Sequence, residues 1–140
     1  GMAGDKGKGD ADIRQDFPGG WKGDTNNAFL TNGRTTEQAK YFDFSKKVLN
    51  WRKNAAVIHT GKLTHYIPEN NVYVYFRHND NETVMVVINN APDNQKLNLE
   101  RFQENIKSFT SGKDIISDKT IDLKNELSID GKTSMILELK

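Results

Sequence analysis

The strongest constraint on the fold is a period of two in the middle of the chain, carried by two β-branched and aromatic runs. Val72-Tyr73-Val74-Tyr75-Phe76-Arg77 meets Glu82-Thr83-Val84-Met85-Val86-Val87-Ile88 across His78-Asn79-Asp80-Asn81. β-Branched and aromatic runs flanking a turn of Asn and Asp predict a hairpin. The same period of two runs from residue 57 onward, through residues 57–60 ahead of Gly61 and residues 62–67 ahead of Pro68. Further short strands are expected at residues 95–99, 108–110, 114–116 and 120–123. A last hairpin is expected to join residues 126–129 to 134–139, with Asp130-Gly131 as a type I′ turn. Residues 99–106 (LERFQENI) offer a short helical excursion instead. Many short strands with frequent turn signals predict a mainly β fold, an antiparallel Greek-key sandwich over residues 56–140.

The head of the chain is built differently. Of the 11 glycines, those at 1, 4, 7, 9, 19, 20, 23 and 33 all fall within residues 1–34. Glycine at this density disfavours helix and strand, because each one gives up the most backbone freedom on ordering. A Gly-rich arm without periodicity is the expectation there, and such long loops are functional or disordered. Gly1 ahead of Met2 reads as a protease scar and carries no weight. At Thr35 the character changes. Thr35-Thr36-Glu37-Gln38 is a capping box, with Thr35 as N-cap and Gln38 at N3. A helix follows over residues 36–54, with Tyr41, Phe44, Val48, Trp51 and Ala55 on one face and Phe42 and Leu49 widening it. Lys46, Lys47, Arg52 and Lys53 lie in its later turns, where cations suit the helix dipole.

Composition closes off several functions. In 140 residues, 20 basic against 19 acidic side chains leave a net charge of +1, so nucleic acid is not an expected partner. With no Cys there is no disulfide scaffold, no Cys-based zinc site and no thiol nucleophile. No apolar run approaches the length of a membrane span. His59, His65 and His78 have no metal-ligand spacing. His59 and His65 sit in expected strands and could meet across a turn, but no third ligand is identified, and partly exposed strand histidines are the better reading. Gly4, Gly7 and Gly9 lack the strand and helix that make a phosphate loop, and no Gly-x-Ser-x-Gly elbow is present. Neither a metal nor a cofactor is implied. Asp80, Asp93, Asp118 and Asp130 sit at turns, where Asp serves backbone geometry.

One cluster differs. Asp10-Ala11-Asp12-Ile13-Arg14-Gln15-Asp16-Phe17-Pro18-Gly19-Gly20-Trp21 packs three carboxylates, a guanidinium and two aromatics into a Gly-flanked loop. Planar hydrogen-bonding groups beside a flat indole are what a sugar ring requires. An Asp–Arg ion pair that orders a loop, with Phe17 and Trp21 as local packing, explains the same residues, and composition alone favours it.

The run GDADIRQDFPGGW, followed by TTEQAKYFDFSKKVLNWRKNAAVIHTGKLTHYIPENNVYVYFR, resembles the C-terminal end of α-amylase-type glycoside hydrolases. The nearest branch is the neopullulanase and cyclomaltodextrinase group of Bacteroides-like bacteria. The resemblance implies that residues 1–55 are a remnant of the last βα unit of a (β/α)8 barrel, with a loop to residue 34 and a helix over 36–54. Residues 56–140 would be the appended sandwich. It further implies that Asp10 and Arg14 bind a glucose unit in the intact parent, with Asp12 as the alternative acid and Trp21 lining the same cleft. The family's catalytic acids lie on upstream barrel strands, so no residue here is expected to be catalytic and the chain alone is expected to be inert.

The expected partners follow. They are the catalytic barrel of the parent chain, α-glucan only in the intact enzyme, and a homodimer formed through the helix at 36–54 if its apolar face is left uncovered. A second expectation is a maltooligosaccharide-binding module using Tyr66, Tyr73 and Tyr75. Localisation would be periplasmic or secreted where the parent is exported.

Overall fold

The computed structural model describes residues 7, 9–14 and 16–140, with Ala11 and Asp12 as backbone only. The chain divides between Leu49 and Asn50 into two compact units. The first holds α1 (Asp10–Ile13), a 3-10 turn (Thr31–Gly33) and most of α2 (Thr36–Asn54). The capping box forms as expected: Gln38 N donates to Thr35 Oγ1 at 3.2 Å, while Thr35 N donates back to Gln38 Oε1 at 3.0 Å. Arg52 and Lys53 lie in the last turn.

The second unit opens with the end of α2 and α3 (Ala56–Thr60), then runs through eight strands. These are β1 (Lys62–His65), β2 (Val72–His78), β3 (Thr83–Asn89), β4 (Gln95–Asn98), β5 (Ser111–Asp114), β6 (Thr120–Asp122), β7 (Glu126–Ile129) and β8 (Ser134–Leu139). A 3-10 turn (Leu99–Phe102) and α4 (Gln103–Ile106) form the helical excursion between β4 and β5. Six strands make one sheet in the order β1-β2-β3-β8-β5-β6, and β4 pairs with β7 in the other. All pairings are antiparallel. The chain crosses between sheets after β3, β4, β6 and β7, which gives the Greek-key sandwich its interleaved order.

Register decides what is buried. Phe76, Met85 and Leu137 lie side by side across β2, β3 and β8, and none of them is exposed. Val74, Val87 and Met135 form the next row on the same face. Leu97, Leu127 and Ile129 of the small sheet close over these rows, with Leu99, Phe102 and Ile106 of the excursion. Each fully buried side chain of this kind contributes roughly 1.5–3 kcal/mol. On the opposite face of the large sheet, Val84 and Val86 pack with Val57 of α3 and with Trp51, Ile58, Tyr75 and Ile136. Trp51 Nε1 donates to Glu138 Oε1 at 2.7 Å, so the end of α2 is tied to β8.

Three expectations are corrected. Residues 57–60 are a helical turn, not a strand. Thr60 Oγ1 donates to Ala56 O at 3.0 Å, and Glu82 Oε2 accepts the N–H of Val57 at 3.2 Å. Four residues cannot distinguish the two periods, and the carboxylate that completes the turn arrives from the distant β2–β3 loop. The strands expected at 108–110 and 114–116 are replaced by β5, centred on Gly112. A Cβ there would meet Leu137 Cβ at 3.0 Å, so the glycine permits close approach and does not end the strand. Residues 126–129 and 134–139 are strands, but they do not form a hairpin. β7 pairs with β4, and β8 lies between β3 and β5. The Asp130-Gly131 turn redirects the chain from one sheet to the other.

Two buried polar groups hold strand ends, Asp114 at the β5–β6 turn and Asn89 where the chain changes sheet. Asp114 accepts from Ile116 N and Ile136 N at 3.2 and 3.1 Å, and from Ser117 N and Oγ at 3.0 and 2.6 Å. Asn89 is 2% exposed, and its Nδ2 donates to Asp93 O (2.9 Å), Asp130 O (3.0 Å) and Ile129 O (3.3 Å). Its Oδ1 accepts Ala91 N at 2.8 Å. One amide therefore fastens the β3–β4 and β7–β8 crossings together. Asn89→Ala is expected to cost about 2–4 kcal/mol, because several buried groups lose partners at once. Asn89→Asp should cost more at neutral pH, since its carboxylate would face three carbonyls, and part of that excess should disappear when the carboxyl is protonated in acid. Urea unfolding of both variants at two pH values checks the order.

Candidate functional site

The loop ahead of α2 is closed by its own backbone. Ala28 N donates to Pro18 O at 2.9 Å, and Ala28 is fully buried. Asp24 Oδ2 accepts from Gly19 N at 2.7 Å and from Trp21 N at 3.1 Å, while Asp24 N donates back to Trp21 O at 3.2 Å. The Pro-Gly-Gly-Trp turn is thus wound around one carboxylate. Gly19 has φ +94°, and a Cβ there would collide with the Asn27 side chain, so only glycine fits on both counts. Arg34 fastens the loop to the helix that follows: its Nη1 donates to Ala28 O at 2.6 Å, and the guanidinium lies 3.9 Å from the Phe42 ring centre. Phe17 and Phe29 meet at 5.2 Å between ring centres.

The structure brings Asp10 and Arg14 together. Arg14 Nη2 lies 3.3 Å from Asp10 Oδ2 across the one-turn helix α1, and both side chains are more than two-thirds exposed. Such a pair adds little stability in water, and the remaining donors and acceptors of both groups stay accessible. Trp21 is 67% exposed at the surface of the closed loop. Asp16 is exposed. The side chain of Asp12, the alternative acid, and Gly4 of the glycine run lie outside the described residues. Asp24 and Arg34 went unnoticed in the sequence. Asp three residues after an aromatic in a Gly-Gly turn is the local signal for the first, whereas the Arg34–Phe42 contact has none.

The strand aromatics divide. Tyr73 and Tyr75 share a face of β2, with ring centres 5.6 Å apart, and His65 meets Tyr73 edge-on at 6.3 Å. Tyr66 does not join them. It packs on Phe102 and Phe76, and its hydroxyl donates to Asn105 Oδ1 at 2.9 Å. A three-tyrosine platform is therefore not formed. His59 lies in α3, where Nε2 contacts Arg52 O at 3.0 Å, and His78 Nε2 contacts Thr64 Oγ1 at 3.1 Å. Among the described residues, no group of three His, Cys, Asp or Glu side chains is placed to hold a metal. Nor is any helix among them long and apolar enough to cross a membrane.

Burial pushes the Tyr66 phenol above the usual tyrosine value, with Glu104 adding to the effect. Tyr75 is raised by burial and by neighbouring Tyr73. A raised folded-state value contributes stability that is intact below the ordinary phenol pKa of about 10 and is lost as pH rises through the folded value. Absorbance titration should therefore show both phenols ionising late, with the melting temperature falling above about pH 10. For the loop, Gly19→Ala should speed hydrogen exchange at Ala28 N–H by about tenfold or more while leaving the β3 amides unchanged.

The sandwich with its preceding helix defines a class of fold, that of domains found in α-amylases. The chain is similar to an α-amylase from Geobacillus thermoleovorans solved with acarbose, at TM-score 0.63 and 18% identity over 79% of this chain and 24% of that one. An Anoxybacillus α-amylase matches at TM-score 0.65 and 19% identity, over 79% and 24%. AmyP in complex with maltose matches at TM-score 0.68 and 16% identity, over 81% and 23%. The chain spans about a quarter of the length of these proteins, and at such identities the likeness is one of fold. The family model described as the cyclo-malto-dextrinase C-terminal domain matches residues 63–138, more than half of the chain. The chain belongs to that family, the cyclo-malto-dextrinase C-terminal domain.

Proposed function

We propose that this chain is a non-catalytic supporting part of an enzyme acting on α-glucosidic bonds, of the neopullulanase and cyclomaltodextrinase branch. On this reading the loop to residue 34 follows the last strand of a (β/α)8 barrel, α2 is the last barrel helix, and residues 56–140 brace the barrel from outside. The observation that carries it is α2 itself. This helix of 19 residues has no buried side chain, and Tyr41, Phe44 and Leu49 are 49%, 49% and 62% exposed. An apolar stripe of that width calls for a covering surface. The matches to solved amylases support the same reading, since their 79% and 81% coverage is more of the chain than residues 56–140 make up.

Within the parent, Asp10 and Arg14 would hold a glucose unit, with Trp21 against its C–H face. A bidentate clamp beside an indole is the chemistry a pyranose ring requires. A second reading, a maltooligosaccharide-binding module, is favoured by the adjacent Tyr73 and Tyr75 rings. Export of the parent would carry the domain with it.

The test has three parts. The isolated chain incubated with maltoheptaose should release no product, and turnover that tracks Asp10, Asp12 or Asp16 would overturn the proposal. Arg14→Ala in a barrel-containing parent should lower kcat/KM by about tenfold or more without moving the melting temperature. Without a barrel, light scattering should show pairing through α2 at high concentration, and a strict monomer would argue against that arrangement.

A further inference from the structure

β1 is an outer strand of the large sheet, so one of its edges faces away from β2. In an antiparallel ladder, successive residues turn their N–H and C=O alternately toward the partner strand and away from it. Tyr66 N donates to Val74 O at 3.0 Å, one step past the register pair of His65 and Tyr75. Lys62, Thr64 and Tyr66 therefore give their groups to β2. Leu63, His65 and, by the same alternation, Ile67 turn theirs outward. Among the described residues, no carbonyl outside the ladder accepts the N–H of any of the three.

Exposed edges are ordinarily blunted by charge, by proline or by shortness. The far edge of this sheet is guarded in that way. β6 has three residues, Lys119 precedes them, and Asp122 holds Lys124 at 3.5 Å. The β1 edge is apolar instead. Leu63 is 55% exposed and Ile67 79%, with exposed His65 between them. Lys62 carries the formal charge of this edge, and Pro68 stands just beyond its end.

The spacing makes this edge complementary to itself. Let two copies of β1 run antiparallel about a two-fold axis at His65. Leu63 of each copy then falls opposite Ile67 of the other, an apolar pair formed twice. Outward residues meet outward residues, so Leu63, His65 and Ile67 of both copies exchange N–H and C=O groups. Ile67 O accepts from Arg101 Nη2 at 2.8 Å, and its second lone pair remains for the pairing. Charge agrees with this register. Lys62 falls opposite Pro68 and one step from Glu69, whose side chain is 62% exposed, while the two Lys62 ammonium groups stay at opposite ends. Centred at Thr64 instead, Leu63 would face His65 and Ile67 would face Gly61, and neither apolar side chain would find the other. A two-fold pairing uses the same patch on both copies and closes at two, whereas β1 against β6 of the next copy would run on without end.

We infer that the open edge of β1 is an interface between two copies of this chain, a strand pairing centred on His65 that joins two large sheets into one. The surface is separate from α2 and does not rest on the reading above. Its contact is short, so it belongs to the small, transient class of interfaces. Amide spectra and light scattering of the full chain are compared at about 10 µM and about 1 mM, a span that brackets weak association. At the higher concentration, shifts should gather at residues 62–67, and the mass should rise toward twice that of one chain. The Leu63 and His65 N–H groups should exchange about tenfold more slowly. Leu63→Pro removes an outward N–H that β2 does not use, and His65→Lys sets two ammonium groups face to face at the axis. Each variant should abolish the concentration dependence while leaving the β2–β3 amide shifts in place. Where Leu63→Pro unfolds β1, His65→Lys still decides. Shifts confined to Tyr41, Phe44 and Leu49 would assign pairing to α2 and overturn the inference. So would growth beyond two copies, or spectra that do not change with concentration.

Discussion

The second unit depends on β3 being apolar on both of its faces. Met85 and Val87 point into the space between the sheets, and Val84 and Val86 point the other way, yet all four are buried. A strand that must hide both faces needs cover on each. On one side the small sheet and the helical excursion supply it; on the other α3 and Trp51 do. A slip of one residue against β2 or β8 would exchange the two sets, setting Val86 where Met85 fills the row with Phe76 and Leu137. The volumes differ, so the register is fixed by shape on one face and by the width of α3 on the other.

Polar groups secure the places where strands end and the chain turns. Asn89 and Asp114 stand at strand ends, where ladder bonds run out and the backbone must turn. Each supplies several bonds from one side chain, which keeps buried N–H and C=O groups satisfied where neither sheet can do so. The sandwich is thus apolar in its body and amide- or carboxylate-pinned at its corners. That division lets β3 and β7 send the chain across to the opposite sheet without burying unpaired backbone.

Much of this was legible in the residues. The β2–β3 hairpin, the capping box at Thr35 and the excursion at residues 99–106 all follow from local spacing, because the forces that set them are local. What failed was set from a distance. Residues 57–60 turn because Glu82 reaches their first N–H. Gly112 sits inside a strand because Leu137 and Leu139 cover it. The Asp130-Gly131 turn carries a hairpin signal, but Gly131 lies against the Pro92 carbonyl, and Lys132 N donates to Ala91 O at 3.0 Å. A turn's chemistry says that the chain reverses, not which neighbour receives it. For the loop residues, the Asp–Arg ion pair that composition suggests is made by Asp10 and Arg14, whereas the exposure of Trp21 depends on the Asp24 winding. Tyr66 and Tyr73 have equal claims as aromatic strand residues, and only the Asn105 partner and the Phe102 ring separate them.

The first unit is ordered by different physics. Between residues 16 and 34 the one fully buried side chain among the described residues is Ala28, far too little apolar surface to offset the entropy of fixing a glycine-rich segment. Its order comes from backbone N–H groups gathered on Asp24 and Asn27, glycines that let strands of loop touch, and a guanidinium laid on Phe42. Such a loop can leave Phe17, Trp21, Phe29 and Leu30 largely exposed and still hold its shape, because none of its fastenings uses Trp21, Phe29 or Leu30 side chains as buried packing. A segment stabilised by burying its aromatics could not present them. One stabilised by polar contacts can, and that is the condition a surface must meet if its aromatics are to receive a partner.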